Sequence, residues 1–195
     1  MKHRQETEIK LAIREPKEIR QRLRELRFRP IQARHFESNY LFDFPDQRLR
    51  KSRCLIRLRF AGDQGLLTYK GAPLRSRDYK IRREIETRVE DGHRLREILL
   101  HLGLGEVFCY EKFRTLYVPR GKREVADAPQ LVIDETPIGN YLELEGPQHW
   151  IDEVARQLGY TRRDYITESY AALYRKNCQL AGKAPGNMIF PSRES

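Results

Sequence analysis

Near the N-terminus, Glu6, Glu8 and Lys10 alternate with Thr7, Ile9 and Leu11. Successive side chains of an extended strand point to opposite faces, so the three charged groups share one face and Ile9 and Leu11 take the other. The arrangement returns along the chain. Arg57 and Arg59 oppose Ile56, Leu58 and Phe60; Arg82, Glu84 and Glu86 oppose Ile81 and Ile85; Lys112 and Arg114 oppose Phe113; Glu143 and Glu145 oppose Leu142 and Leu144. Any one of these segments alone reads as an ordinary sheet with one wet face. Together they keep each sign of charge in small clusters on distant strands. If the sheet closes, with helices covering its apolar outside, these clusters converge on one lumen.

Such a lumen is costly when empty, because like charges repel and desolvated charges need partners. Paired carboxylates suit Mg2+ or Mn2+, hard cations held through a few carboxylates together with substrate phosphates. Convergent Arg and Lys suit phosphate oxygens, Arg as a bidentate donor and Lys as a point charge. A polyanion that carries its own metal needs both kinds of group in one place.

The elements that must position these groups are legible from periodicity. Strands are expected at residues 4–13, 31–44, 54–60, 66–70, 79–89, 107–118, 130–135 and 141–145, with a glycine-containing hairpin at 61–65 and a turn at Pro45-Asp46. Helices are expected at 16–28, opened by Pro16 with Ile19, Leu23 and Leu26 in phase, and at 91–102, with Asp91 as N-cap and Gly103 as stop. Two more are expected at 148–158, ended by Gly159, and at 166–180. Antiparallel strands interrupted by a few helices predict an α+β fold, a closed eight-stranded barrel or a strongly curved sheet with helices packed outside. Residues 1–180 read as one domain. Residues 181–195, with two Pro and two Gly, read as a loose tail in which Met188, Ile189 and Phe190 are able to dock.

A net charge of +10 calls for an anionic partner, and nucleic acid, anionic lipid and polyphosphate all satisfy it. Cys54, Cys109 and Cys178 are odd in number and lack CxxC or Cys/His ligand spacing, which argues against a disulfide framework or a zinc site and for a reducing cytoplasm. No apolar run approaches the roughly 20 residues of a membrane helix, and residues 1–14 lack the apolar stretch of a signal peptide, so no membrane partner is expected. A nucleic-acid or polyphosphate-binding module is disfavoured because acidic residues share strand faces with the basic ones and no aromatic RNP-like run lines a strand. His35 reads as structural, Trp150 and the tyrosines of 165–174 as helix packing, and Cys109 and Cys178 as core. Oligomeric state is left open.

Taken in order, these motifs resemble the CYTH superfamily, the triphosphate tunnel metalloenzymes, which includes class IV adenylyl cyclases, thiamine triphosphatases and inorganic tripolyphosphatases. The resemblance rests on Glu6-x-Glu8-x-Lys10, Arg57 and Arg59, Lys70 in Thr68-Tyr69-Lys70-Gly71, Arg82/Glu84/Glu86, Glu111-Lys112-Phe113-Arg114, Asp134 in Val132-Ile133-Asp134-Glu135, and Gly139 followed by Glu143-x-Glu145. It runs from about residue 6 to 174, and the ordered set is far more specific than any one triplet. It implies an eight-stranded antiparallel tunnel, with Glu6, Glu8, Glu143 and Glu145 as metal ligands and Asp134 close by. Lys10, Arg57, Arg59, Lys70, Arg82, Lys112 and Arg114 would hold the phosphates. Glu84 and Glu86 would either join the metal or hold the arginines in place, and the general base is unassigned. The implied substrate is a triphosphate-bearing small molecule: ATP, tripolyphosphate or thiamine triphosphate. Likeness in residues 33–39, with His35-Phe36, and in residues 134–146 favours the cyclase branch over the phosphohydrolases. Ser169-Tyr170 falls where family members carry a C-terminal element near the tunnel.

Overall fold

The structure is a computed structural model and describes residues 5–62, 64–121 and 129–191. The expected positions Arg4 and Asp63, and the last four residues of the tail, lie outside the described residues. The elements are β1 (Gln5–Ile13), α1 (Pro16–Glu25), β2 (Phe28–Asp43), α2 (Arg48–Lys51), β3 (Leu55–Ala61), β4 (Gln64–Lys70), β5 (Lys80–Val89), α3 (Gly92–His101), β6 (Gly105–Pro119), β7 (Gln130–Thr136), β8 (Gly139–Glu145), α4 (Gln148–Gln157) and α5 (Tyr170–Leu180), with a 3-10 turn at Arg162–Asp164. The strands close into one antiparallel barrel in the order β1-β5-β4-β3-β2-β6-β7-β8. Closure leaves no edge strand and commits every inward side chain to one lumen.

The apolar faces lie outside, as the alternation requires. Ile9 and Leu11 of β1, Leu131 and Ile133 of β7, and Leu142 and Leu144 of β8 are completely buried under α1 and α4. α1 meets them with Ile19 and Leu23, and α4 with Ile151, Val154, Ala155 and Leu158, spacings that set these side chains on one helical face. α3 covers a second cluster of Phe42, Leu58, Phe60, Leu99 and Leu104. Its first turn is capped by Asp91, which accepts from Arg94 N at 2.9 Å. The seat is tight: a Cβ on Gly92 would fall 2.6 Å from Phe60 Cε1, so only glycine lets this helix start against β3. Among the described residues no helix is long and apolar enough to cross a membrane.

The structure departs from sequence expectation at several boundaries. α1 stops at Glu25 because Arg27 turns the chain through a positive φ of 59° into β2. α2 was not expected; its short turn is organised by Asp43, whose carboxylate accepts from Phe44 N, Leu49 N and Arg50 N at 2.8, 3.0 and 2.9 Å. α5 begins at Tyr170 and not at residue 166, since Ile166 is drawn into an antiparallel bridge with Lys10 and Ser169 caps the helix by accepting from Ala172 N. In the C-terminal stretch, where docking at 188–190 was allowed for, Met188 docks. Met188 N donates to Cys109 O and Glu111 N donates to Met188 O, both at 2.9 Å, while Asn187 Oδ1 accepts from Cys109 N at 2.8 Å. The Met188 side chain is fully buried against Tyr110, Tyr141 and Tyr170, and Phe190 packs on Phe113 with ring centroids 5.3 Å apart.

Replacing Met188 by Ala removes a fully buried side chain and should lower unfolding stability by about 2–5 kcal/mol. A urea midpoint equal to that of the wild type would show that this segment does not hold the barrel.

Candidate functional site

The inward side chains meet in a cavity of about 170 Å3. Its wall carries Glu6, Glu8 and Lys10 from β1, Arg57 and Arg59 from β3, Lys70 from β4, Arg82, Glu84 and Glu86 from β5, Lys112 and Arg114 from β6, and Glu143 and Glu145 from β8. One candidate, Asp134 on β7, is not in that wall. It is 0% exposed and accepts from Lys112 Nζ at 2.9 Å, Arg114 Nε and Nη2 at 2.7 and 2.6 Å, and Tyr170 OH at 2.8 Å. Three donor groups close it off from the cavity, so its geometry is that of a carboxylate ordering cations and not of one standing open to a metal.

Register explains the pairings. Glu8 lies opposite Lys80 on one side and Glu145 on the other, Lys10 opposite Glu143, Lys70 opposite Glu84, and Thr68 opposite Glu86. Lys80 Nζ reaches Glu8 at 2.6 Å and Lys10 Nζ reaches it at 3.3 Å; Lys10 also lies 3.1 Å from Glu143. Lys70 Nζ donates to both oxygens of Glu6 at 2.8 and 2.7 Å and stands 3.2 Å from Glu84. Arg57 donates to Tyr110 OH at 3.3 Å, Thr68 Oγ1 at 3.2 Å and Glu86 at 3.3 Å. Arg114 also donates to Glu143.

Burial alone would push Glu8, Glu143 and Glu86 up, but the cations outweigh it. Lys10, Lys80 and Lys70 hold Glu8 well below the ordinary carboxylate range, Lys10 and Arg114 do the same for Glu143, and Arg57 and Arg59 bring Glu86 down to about 2. Lys10 is shifted the opposite way, upward, because Glu143 and Glu8 outweigh its desolvation. Two cations are less well compensated. Lys80 is pushed down by burial and by Lys10 and Lys70, and Arg59 by burial and by Arg57 and Arg114. A third, Arg82, is 7% exposed, forms no side-chain hydrogen bond or ion pair among the described residues, and has a buried Nε without an acceptor. Cations thus outnumber carboxylates along the cavity wall, and some of their donor capacity is unspent.

Sequence reasoning missed several members. Lys80 is two residues before Arg82 and shares its face, so alternation carried the signal. Glu37 and Asn39 share the inward face of β2 with His35; both are buried, and the same alternation was legible there. Tyr110 extends the Lys112, Arg114 face by two residues and lines the cavity. Gln130 and Ala171 also line it, beside Ser169 and Tyr170, which the resemblance had placed near the tunnel. Tyr170 is both packed and part of the cavity wall, since it opens α5 with its ring on Tyr110 and Tyr141 and its hydroxyl on Asp134. His35 donates through one ring nitrogen to Ala33 O at 2.9 Å while the other lies 3.2 Å from Glu37, and that carboxylate raises its pKa. A second cavity of about 780 Å3 adjoins the first, sharing Leu41, Leu55, Arg82, Ser169 and Ala171, and adds Phe44, Phe108, Arg50, Arg53 and Arg175.

The donor chemistry fits a hard divalent cation. Glu6, Glu8, Glu143 and Glu145 offer only oxygen, and Glu8 and Glu145 face each other across β1 and β8. Among the described residues no three acidic, His or Cys side chains form a ready cage, because lysines share the same carboxylates.

Glu84 is the exception to the downward trend: burial, with Glu6 beside it, outweighs Lys70 and pushes its carboxyl up to about 9. The unfolded chain gives up this proton near pH 4.5 and the fold keeps it, so stability is progressively lost between those values. In chelator, Glu84→Gln should therefore gain stability relative to the wild type as pH rises from 5 to 9. A urea-midpoint difference that stays flat over that range would contradict the protonated assignment.

Comparison with known proteins agrees with this architecture. A family model described as the CYTH domain matches residues 4–170. The Methanocaldococcus jannaschii protein named "Putative adenylate cyclase MJ0240" is 29% identical over 178 residues, covering 86% of this chain and 97% of that one. Among solved structures, one described as a putative adenylate cyclase from Vibrio parahaemolyticus superposes with a TM-score of 0.75 at 16% identity, over 88% of this chain and 98% of the other. HpAC1 from Hippeastrum, described as a putative adenylyl cyclase with a dominant triphosphatase activity, superposes with a TM-score of 0.61 at 16% identity, over 92% and 97%. At such identities the structural matches establish the fold alone, whereas the family match spans most of the chain: the protein belongs to the CYTH domain family, whose members are in general metal-dependent and act on triphosphates.

Proposed function

We propose that this chain is a class IV adenylyl cyclase, converting ATP to cyclic AMP and pyrophosphate in its barrel. The observation that carries the reading is the convergence of carboxylates and unspent cations from separate strands on one cavity. Lys10, Arg57, Arg59, Lys70, Arg82, Lys112 and Arg114, joined by Lys80, hold the phosphate oxygens. Glu6, Glu8, Glu143 and Glu145 hold Mg2+ or Mn2+, which when bound neutralises phosphoryl oxygens and the charge that develops on them. Asp134 and Glu86 fix the arginines and lysine they contact. Fixed donors aimed at the equatorial and leaving oxygens stabilise attack of the ribose 3′-oxygen on the α-phosphorus, with departure of pyrophosphate. The adjoining cavity, with Phe44 and Phe108 beside Arg50 and Arg53, leaves space for an organic group next to the triphosphate. The name of the 29% identical relative points the same way.

A second reading is hydrolysis of the terminal phosphate of tripolyphosphate, thiamine triphosphate or ATP. The same grip serves a water nucleophile, and the activity ascribed to HpAC1 favours it.

Product analysis separates the two. With ATP and Mg2+ or Mn2+, cyclic AMP and pyrophosphate are the expected products; ADP and phosphate would replace the cyclase by the second reading. Glu8→Gln should lose at least about 100-fold in turnover, the scale of removing one preorganised transition-state contact. Turnover that survives both this change and chelator would remove the metal assignment. Arg82→Gln discards a buried cation with no described protein partner, so the fold should keep or gain stability while KM for the triphosphate rises about tenfold or more. A variant that loses stability without any change in KM would place Arg82 in the scaffold.

A further inference from the structure

β2, to which the sequence assigned no metal or phosphate ligand, carries a carboxylate at the crossing of the cationic elements. Glu37 is 2% exposed and lies opposite Lys112 of β6 in register, with His35 opposite Arg114 and Asn39 opposite Arg59 of β3. Its Oε1 is 3.2 Å from His35 Nε2. Its Oε2 stands 3.6 Å from Lys112 Nζ, 3.6 Å from Arg59 Nε and 4.0 Å from Arg114 Nε, and has no hydrogen-bond partner. These separations exceed hydrogen-bond reach but are short on the scale of Coulomb attraction in a buried site. Glu37 compensates the three cations without using up their N–H groups.

Asp134 does the opposite. It hydrogen-bonds Lys112 and Arg114 directly and so occupies part of their donor set. Arg59 has no such second acid: among the described residues Glu37 is the one carboxylate within 4.0 Å of it, and its only hydrogen bond is from Nε to Asn39 Oδ1 at 3.3 Å. Arg57 and Arg114 both press on it. Arg59 lines the cavity, and its terminal nitrogens take part in no hydrogen bond among the described residues.

We propose that Glu37 is a positioning residue that sets Arg59, and secondarily Lys112 and Arg114, to receive polyphosphate oxygens while leaving their donors free. The proposal rests on the triphosphate reading above and assigns no bond-making step to Glu37. His35 Nε2 lies 3.2 Å from Glu37 Oε1, the carboxylate oxygen opposite the one nearest Arg59.

The test uses the full chain and inorganic tripolyphosphate as probe, with affinity read by calorimetry in the presence of Mg2+. Glu37→Gln should weaken the wild-type affinity at least tenfold, and Glu37→Asp, which keeps the charge, should recover part of the loss. In an Arg59→Gln background, Glu37→Gln should add less than threefold, because the two act through one contact; independent losses that multiply would mark a merely structural carboxylate and overturn the proposal. Equal affinity for wild type and Glu37→Gln would overturn it as well. If Glu37→Gln does not fold, Glu37→Asp alone decides, with a loss of at least threefold expected and an unchanged affinity fatal. A wild-type chain that does not bind tripolyphosphate would instead sink the triphosphate reading itself.

Discussion

Buried charge in a closed barrel must be answered from inside. Once β1 pairs with β5 and β8, the inward side chains of all eight strands share one enclosed lumen in which most of them are buried. Taking an isolated ion out of water costs several kcal/mol even after relaxation, so each carboxylate needs a cation within reach and each cation a carboxylate. The lumen meets most of this demand strand against strand and leaves Arg82 without a described partner. Glu6 is held by Lys70, Glu8 by Lys80 and Lys10, Glu143 by Lys10 and Arg114, and Asp134 by Lys112 and Arg114. With Glu37 and Asp134 counted behind the wall, the formal charges balance, and the retained proton of Glu84 tips the site toward positive. A ligand bearing several negative oxygens and its own cation suits such a site, since it can take over partners on both sides.

Holding the pairs at fixed distance is the work of the outer layer. α1 and α4 clamp β1, β7 and β8, which carry the candidate metal carboxylates and Asp134, and α3 clamps β3 beneath the two arginines. β6 is braced differently. Tyr170 at the start of α5 reaches through to Asp134, while Met188 forms a parallel bridge beside Tyr110. The segment that closes the chain in space therefore supports the strand presenting Lys112 and Arg114. Packing and charge placement are coupled, because a shift of one ångström in β6 would break hydrogen bonds that are 2.6–2.9 Å long.

Much of this was legible in the sequence because a strand has a period of two and the lumen side of each strand is charged. Glu6, Glu8, Lys10, Arg57, Arg59, Arg82, Lys112, Arg114, Glu143 and Glu145 stand out for that reason, and the structure gathers all of them on one wall. Lys80, Glu37 and Asn39 obeyed the same rule and were passed over, since no short motif framed them. Other features had no periodic signal. The αL turn at Arg27 follows from tertiary entrance into β2, Ile166 is extended because Lys10 offers it a bridge, and Met188 finds its place only against three tyrosines from distant elements. Asp134 shows the limit most clearly: its position was expected near the metal carboxylates, but which neighbours it serves depends on side-chain directions that spacing does not encode.

Because the formal charges of the lumen nearly cancel, the described residues outside it carry most of the positive excess of the chain. Ions in solution reach those outer arginines freely and attenuate their pull beyond roughly 8 Å at physiological ionic strength, but they have little access to pairs enclosed by eight strands. Added electrolyte should thus slow the encounter between this protein and an anion far more than it loosens an anion already seated, so arrival and residence answer to different parts of the molecule.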